Sequence, residues 1–294
     1  VTDRAPPWEA RRSRRDFLET LAWLGATLPW WHPSRHRSPG AADQRGWGIQ
    51  LYTVRDQCRE DLEGTLAALA AMGYREVEFA GYHGHAPAEV RAMLDRHGLV
   101  APSSHVNLDA LTTGLDQAIA DAQTLGHHYL VLPWIAEGQR TPEALATVAG
   151  LLNQAGARLA SVGMAVGYHN HNFEFSPLPS GAAAPTAYDL LLQQTDPALV
   201  FFELDLYWIR KGGRDALTYL TRHSGRFRMV HIKEMAADGS MADLGRGVMD
   251  WSALLRAALS AGVEHCFVEH DQPADPLKFA REAIRYLQTV SLDR

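Results

Sequence analysis

The sequence predicts a single α/β domain built as a closed (β/α)8 barrel, and three observations lead there. From Trp47 onward, short apolar runs alternate with longer amphipathic stretches, the pattern of a parallel sheet covered by helices. Eight runs of each kind occur, which suits a closed barrel better than an open sheet. The segment 43–294 also has about the ~250 residues typical of one such barrel.

Strands are expected at Gly48–Tyr52, Glu76–Ala80, Val100–Val106, Tyr129–Trp134, Ala165–Asn170, Leu199–Leu206, Met229–Lys233 and Cys266–Glu269. Helices are expected at 61–72, 87–97, 112–126, 141–162, 185–194, 213–224, 250–261 and 275–289. Start signals support several of them: Thr141 stands before Pro142 and Glu143, and Asp250 before Trp251 and Ser252. Gly73, Gly98, Gly126 and Gly262 fall at helix ends, where a left-handed cap suits glycine. No repeat beyond the β/α alternation is visible, and no linker after residue 46.

The chain has 294 residues, 46% hydrophobic and 21% charged, and a formal charge of −6. That acidic balance argues against a nucleic-acid partner. No apolar run approaches the ~20 residues needed to span a bilayer, so no stable membrane anchor is expected. Cys58 and Cys266 are too far apart in sequence to make a disulfide framework and read as free thiols.

Residues 1–42 differ in kind, with seven Arg against four acidic residues and many Pro and Trp. Ser13-Arg14-Arg15-Asp16-Phe17-Leu18 resembles a twin-arginine export motif, and the short apolar run Leu21–Leu28 follows it. Small residues at Gly40-Ala41-Ala42 offer a cleavage region. The expectation is a non-folding export signal over 1–42, a barrel over 43–294, the Tat translocase as a transient partner and a periplasmic location. That route carries folded proteins, so a metal could be loaded before export.

The chemistry centres on Tyr168-His169-Asn170-His171-Asn172-Phe173-Glu174-Phe175. On an extended strand, residues two apart share a face, so His169 and His171 point the same way at a strand exit. Two such rings near a glutamate suit a divalent metal or proton transfer. Other strand exits carry Glu78, His105, Trp134, Asp205, His231 with Lys233, and Glu269. In barrels of this kind the loops at the carboxyl ends of the strands enclose one pocket. Singly, each residue has an ordinary reading: Glu78 could pair with an Arg, His105 could cap a helix, and Trp134 and Trp208 could be core. Together, so many ionisable groups in one crevice would be costly without a ligand.

These residues carry a resemblance. The chain from 47 to 290 resembles the xylose-isomerase-like TIM barrel superfamily, the sugar phosphate isomerase/epimerase group that includes endonuclease IV. The matching stretches are Gly48–Arg55, Val77–Tyr82, Ser104-His105, Tyr168–Phe175, Glu203–Trp208, Val230–Glu234, Gly245-Arg246-Gly247 with Asp250-Trp251, and Phe267–Asp271. The resemblance implies one divalent ion held by Glu, Asp, His and Glu of strands five to eight. Asp205, His231 and Glu269 match the last three, and His169 stands where those relatives have Glu. Such a set suits Mn, Zn, Co or Fe. In the epimerases the two metal-binding glutamates also move the proton, and His169 departs from that pair. Endonuclease IV needs a larger, three-zinc ligand set and a DNA-binding surface, which the acidic charge does not match.

The expected activity is metal-dependent isomerisation or epimerisation of a sugar or keto-sugar through an enediolate. Glu269, His171 and Lys233 are the expected catalytic residues, and Glu78, His105, Trp134, Glu174 and Trp208 the substrate-binding ones. Two alternatives stay open: a metal-dependent lyase or hydrolase of keto-glycosides, and an inert periplasmic carbohydrate-binding barrel. Export implies a free sugar rather than a sugar phosphate.

Overall fold

Eight parallel strands close into a barrel in the computed structural model, which describes residues 46–178 and 185–292. In chain order they are β1 (Gly48–Gln50), β2 (Glu76–Phe79), β3 (Val100–His105), β4 (Tyr129–Leu132), β5 (Ala165–His169), β6 (Val200–Asp205), β7 (Phe227–Ile232) and β8 (His265–Val268). Each strand pairs with the next, and β8 returns to pair with β1. The expected barrel is therefore present. The export signal expected over 1–42 lies outside the described residues. Among the described residues, no helix is long and apolar enough to cross a membrane.

Helices pack around the outside, including Leu62–Met72, Pro87–His97, Leu115–Leu125, Pro142–Ala160, Trp251–Ser260 and Pro276–Leu287. Their ends follow the sequence signals. Thr141 and Asp250 accept from Ala144 N and Ala253 N as caps, and Gly73 ends its helix at φ 111°. The main apolar core lies between the strands and these helices.

A second, smaller apolar cluster is made by Tyr129, Val131, Phe201, Met229 and Phe267, on the other face of the strands. Two glycines make room for its rings. A Cβ on Gly167 would fall 2.5 Å from the ring of Phe201, and one on Gly48 would fall 2.4 Å from that of Phe267. Two residues further along the same strands, on the same face, stand Gln50, His169, Glu203, His231 and Glu269. A polar layer thus rests directly on a dry aromatic floor.

Several boundaries differ from expectation, each for a local reason. β1 stops at Gln50 because its side chain accepts from Tyr52 N at 3.0 Å and opens a 3-10 turn over Leu51–Val54. A short helix, Arg55–Glu60, follows that turn. β6 runs straight into an unexpected helix, Leu206–Lys211, capped by Asp205 accepting from Trp208 N at 2.7 Å. The helix expected over 213–224 shortens to Ala216–Arg222. A two-stranded antiparallel ribbon, Glu234–Met235 with Met241–Ala242, was also unexpected, since two-residue strands leave no periodic signal.

Candidate metal centre at the barrel mouth

Strand register brings the ionisable residues together before any side-chain contact is considered. His169 lies opposite Glu203 across β5 and β6, and Asp205 lies opposite His231 across β6 and β7. Asn170 extends this ladder beyond the end of β5. Its side-chain oxygen accepts from Asp205 N at 3.1 Å, and its amide donates to Asp205 O at 3.4 Å.

His231 stands at the centre. Its Nδ1 is 2.7 Å from Glu269 Oε2, and its Nε2 is 2.7 Å from Glu78 Oε2 and 3.2 Å from Glu203 Oε1. Lys233, almost wholly buried, holds Asp205 Oδ2 at 3.1 Å, Glu269 Oε2 at 2.8 Å and Asp271 Oδ1 at 2.8 Å. One donor atom each from His169, Asp205, His231 and Glu269 lies within 4.8 Å of all the others, and all four residues are buried. The geometry thus gathers the four residues expected as ligands.

The electrostatics follow from this crowding in a low-dielectric place. Burial opposes charge on His231, yet Glu203 and Glu269 outweigh it and hold its proton well above the ordinary imidazole range. Glu269 is the converse: burial raises it, but Lys233 and His231 hold the carboxyl well below its ordinary value. Burial pushes Asp205 up to about 6 despite Lys233. His169 goes the other way, pushed down to about 3 by burial and by the charge of His231. Its ring is therefore neutral, the form that binds a metal.

The donor set fits a divalent ion. Two imidazoles and two carboxylates suit a borderline metal. His169 Nδ1 and Asp205 Oδ2 each have one charged neighbour, Glu203 Oε2 at 3.2 Å and Lys233 Nζ at 3.1 Å, and each is a donor atom that a bound cation could take.

The remaining expected residues fall into two groups. His171, Trp134 and Trp208 line the mouth. The His171 ring lies 4.9 Å from Trp134 and 5.5 Å from Trp208, and Trp134 is 50% exposed. Burial, with His169 and Lys233, pushes His171 down to about 2, so it too is neutral. Glu78 and Glu174 do not line the mouth, and their expected substrate contact needs correcting, because neither has any exposed surface. Glu78 is held by Ser103 Oγ at 2.6 Å and Gln50 Nε2 at 2.8 Å, and it supports His231. Glu174 accepts from Tyr168 Oη at 2.8 Å and His171 N at 2.9 Å, and it shapes the loop bearing His171. His105 reaches inward rather than outward, with Nε2 2.8 Å from Glu203 Oε2.

Glu203, Gln50, Ser103 and Asp271 join the site without a role having been expected of them from the sequence. Glu203 carried a usable signal: it interrupts the apolar run Val200–Leu204 and shares a face with Asp205. Gln50 carried one too, as a polar strand exit, whereas Ser103 carried none, since neutral residues in short strands read as filler.

The model of the family described as xylose isomerase-like TIM barrel matches residues 66–290. The chain belongs to this family. Among solved members of similar structure is a sugar phosphate isomerase/epimerase from Parabacteroides distasonis. It is 26% identical, with a TM-score of 0.75 over 84% of this chain and 99% of that one. The inosose dehydratase of Geobacillus thermodenitrificans is 28% identical over 159 residues, 47% of this chain and 51% of the relative. The chain thus spans about half the length of the curated relatives it matches. The IOLI protein, solved with a binding zinc atom, is 14% identical with a TM-score of 0.65 over 84% of this chain and 98% of that one, and shares the fold.

Proposed function

We propose that the chain is a divalent-metal-dependent enzyme that removes the proton beside the carbonyl of a keto-sugar or keto-polyol. The observation that carries this reading is the convergence of His169, Asp205, His231 and Glu269 within 4.8 Å, with Lys233 alongside. A divalent ion (Mn, Zn, Co or Fe) bound there would polarise a carbonyl and make the neighbouring C–H acidic. Glu269 takes the proton. Lys233 steadies the negative charge that develops on oxygen. The neutral His171 accepts a hydrogen bond from a substrate hydroxyl, and Trp134 offers an exposed ring for the sugar to stack on.

Beyond that first step, β-elimination is the favoured outcome. Elimination needs one carboxyl, which takes the proton beside the carbonyl and returns it to the departing β-hydroxyl, so that water leaves; epimerisation in this family uses a glutamate pair, one of which is His169 here. The relatives named inosose dehydratase support the same choice. Isomerisation or epimerisation is the second reading, supported by the 26%-identical isomerase/epimerase barrel.

The substrate is a free sugar rather than a phosphosugar, because the proposed export takes the enzyme away from the sugar phosphates of the cytoplasm. Among the described residues, Arg140 stacks on Phe173 at 3.5 Å. Arg55 donates to the backbone oxygens of Tyr52 and Asp271 at 2.7 and 2.8 Å. Chelation should abolish turnover of a free keto-sugar or inosose, and re-adding the metal should restore it. Undiminished turnover after chelation, or a clear preference for the phosphosugar, would count against the reading. We also propose export by the twin-arginine route; replacing Arg14 and Arg15 by Lys should then retain the protein in the cytoplasm.

A further inference from the structure

Between the turn after β1 and the loop after β8 lies a cavity of about 210 Å³ that the reaction proposed above does not use. Thr53, Arg55 and Gln57 line it from the first segment, and Gln272 and Pro273 from the second. Both segments leave the carboxyl ends of their strands, so the cavity lies on the face that carries the metal donors. At ~30 Å³ for each water it has room for several, or for the hydroxyls along one edge of a sugar ring.

Tyr52 adjoins this cavity through Thr53 and Arg55. Its ring is 43% exposed, and the Arg55 guanidinium lies over it, 4.1 Å from the centroid. A lone exposed aromatic needs no explanation. This one, however, is fixed. Tyr52 N donates to Gln50 Oε1 at 3.0 Å, and Gln50 Nε2 donates to Glu78 at 2.8 Å. Arg55 Nη1 donates to Tyr52 O at 2.7 Å and to Asp271 O at 2.8 Å, while Asp271 Oδ1 holds Lys233 at 2.8 Å. The ring and its arginine are thus tied into the network that holds the metal donors.

Strand order gives this ring its meaning. The donors His169, Asp205, His231 and Glu269 come from the ends of β5 to β8, with β4 beside β5 and β1 beside β8. Trp134 follows β4 and Tyr52 follows β1, so an exposed aromatic ring flanks the donor arc at each end. A sugar stacked on Trp134 leaves Tyr52 unused. Beside Tyr52, Gln57 has its side-chain oxygen buried with no hydrogen-bond partner among the described residues, which is costly until something meets it. An aromatic face with fixed polar groups beside it suits a sugar ring, whose C–H face packs on the aromatic and whose hydroxyls both donate and accept.

We propose that Tyr52, Arg55, Gln57 and Gln272 form a subsite for a second sugar ring, so that the substrate is a keto-sugar joined to another sugar by a glycosidic bond. The proposal rests on the reading of the mouth as a keto-sugar site and names the substrate class that it takes.

The test is calorimetric binding by the full chain loaded with Zn²⁺, with cellobiose, maltose and trehalose as two-ring probes and glucose as the one-ring probe. None is a keto-sugar, so binding is read without turnover. At least one disaccharide is expected to bind about tenfold tighter than glucose, the worth of one hydrogen bond to a buried and otherwise unpaired group. Tyr52→Ala and Gln57→Ala should each bring that ratio close to one, whereas Tyr52→Phe keeps the stacking face and should retain it. Circular dichroism confirms that each variant is folded. No disaccharide favoured over glucose, a preference that survives either alanine variant, or one lost equally in Tyr52→Phe, overturns the proposal. A disaccharide preference without C–H cleavage of any keto-sugar would remove the proposed reaction and leave the subsite standing. Cleavage in a keto-monosaccharide with no disaccharide preference would do the reverse.

Discussion

His231 Nε2 lies 2.7 Å from Glu78 Oε2, a contact between β7 and β2 across 153 residues of sequence. Glu78 is itself fixed by Ser103 and Gln50, so the carboxylate cannot follow if the ring turns. The opposite nitrogen is held against Glu269 at 2.7 Å. Outer partners of this kind set the orientation of a metal-binding histidine, and their loss commonly costs 10–100-fold in affinity. Glu78→Gln should therefore weaken zinc binding by about that factor, read by competition with a chromophoric chelator. Unchanged affinity would show that the ring is positioned from elsewhere.

Asp205 has two duties that a careful substitution separates. One oxygen caps the helix Leu206–Lys211 through Trp208 N, and the other faces Lys233. Asparagine caps helices about as well as aspartate, whereas alanine costs about 1 kcal/mol at such a position. Asp205→Asn should keep the melting temperature of the metal-free protein but lose the ion and all turnover. Asp205→Ala should lose both and also melt lower. Elemental analysis alongside calorimetric melting distinguishes the two.

Glu234 organises the loop that follows β7. Its buried carboxylate accepts from Met235 N at 3.0 Å, Gly245 N at 3.2 Å, Met249 N at 3.1 Å and Trp251 Nε1 at 2.7 Å. Four donors turned toward one group become a liability if the group changes. Glu234→Gln places an amide donor among them and should cost about 2–3 kcal/mol, measured by urea unfolding. Trp251→Phe removes one donor and should cost less in hydrogen bonding, so a larger effect than Glu234→Gln would contradict this account.

His127 predicts an acid sensitivity unrelated to the metal centre. Its ring is buried against the backbone oxygen of Ala101, 2.6 Å from Nδ1, and burial pushes its pKa down to about 4 from the ordinary 6.5. Between those values the unfolded chain binds a proton that the folded chain does not, so stability falls as pH drops from 6.5 toward 4. The loss approaches roughly 3 kcal/mol at the acid end, at about 1.4 kcal/mol per unit. His127→Gln should flatten that part of the stability–pH curve, as followed by urea unfolding across the range. An unchanged slope would show that other groups carry it.

Much of the site was legible because strand exits announce themselves. His169, Asp205, His231, Lys233 and Glu269 end apolar runs where a polar residue stands out. The inner layer was harder to read. Glu203 sits mid-strand, and its partner His105 comes from β3, so only closure of the barrel brings them within 2.8 Å. Glu78 and Glu174 were legible as site residues but not in role, since sequence gives a residue's strand and not the depth of its side chain. Asp205 was legible as an exit residue, yet its capping of Leu206–Lys211 was not, because the strand and helix share no spacer.

Release of deuterium from a keto-sugar labelled at the carbon beside its carbonyl tests the central claim most directly. Deuterium NMR follows its appearance in water, and the reading reports C–H cleavage whether elimination or isomerisation follows. The account predicts release by the metal-loaded protein, its arrest on chelation, its return with the metal, and its loss in Glu269→Gln. A labelled sugar that binds but keeps its deuterium, or one that loses it equally fast after chelation, would contradict the account.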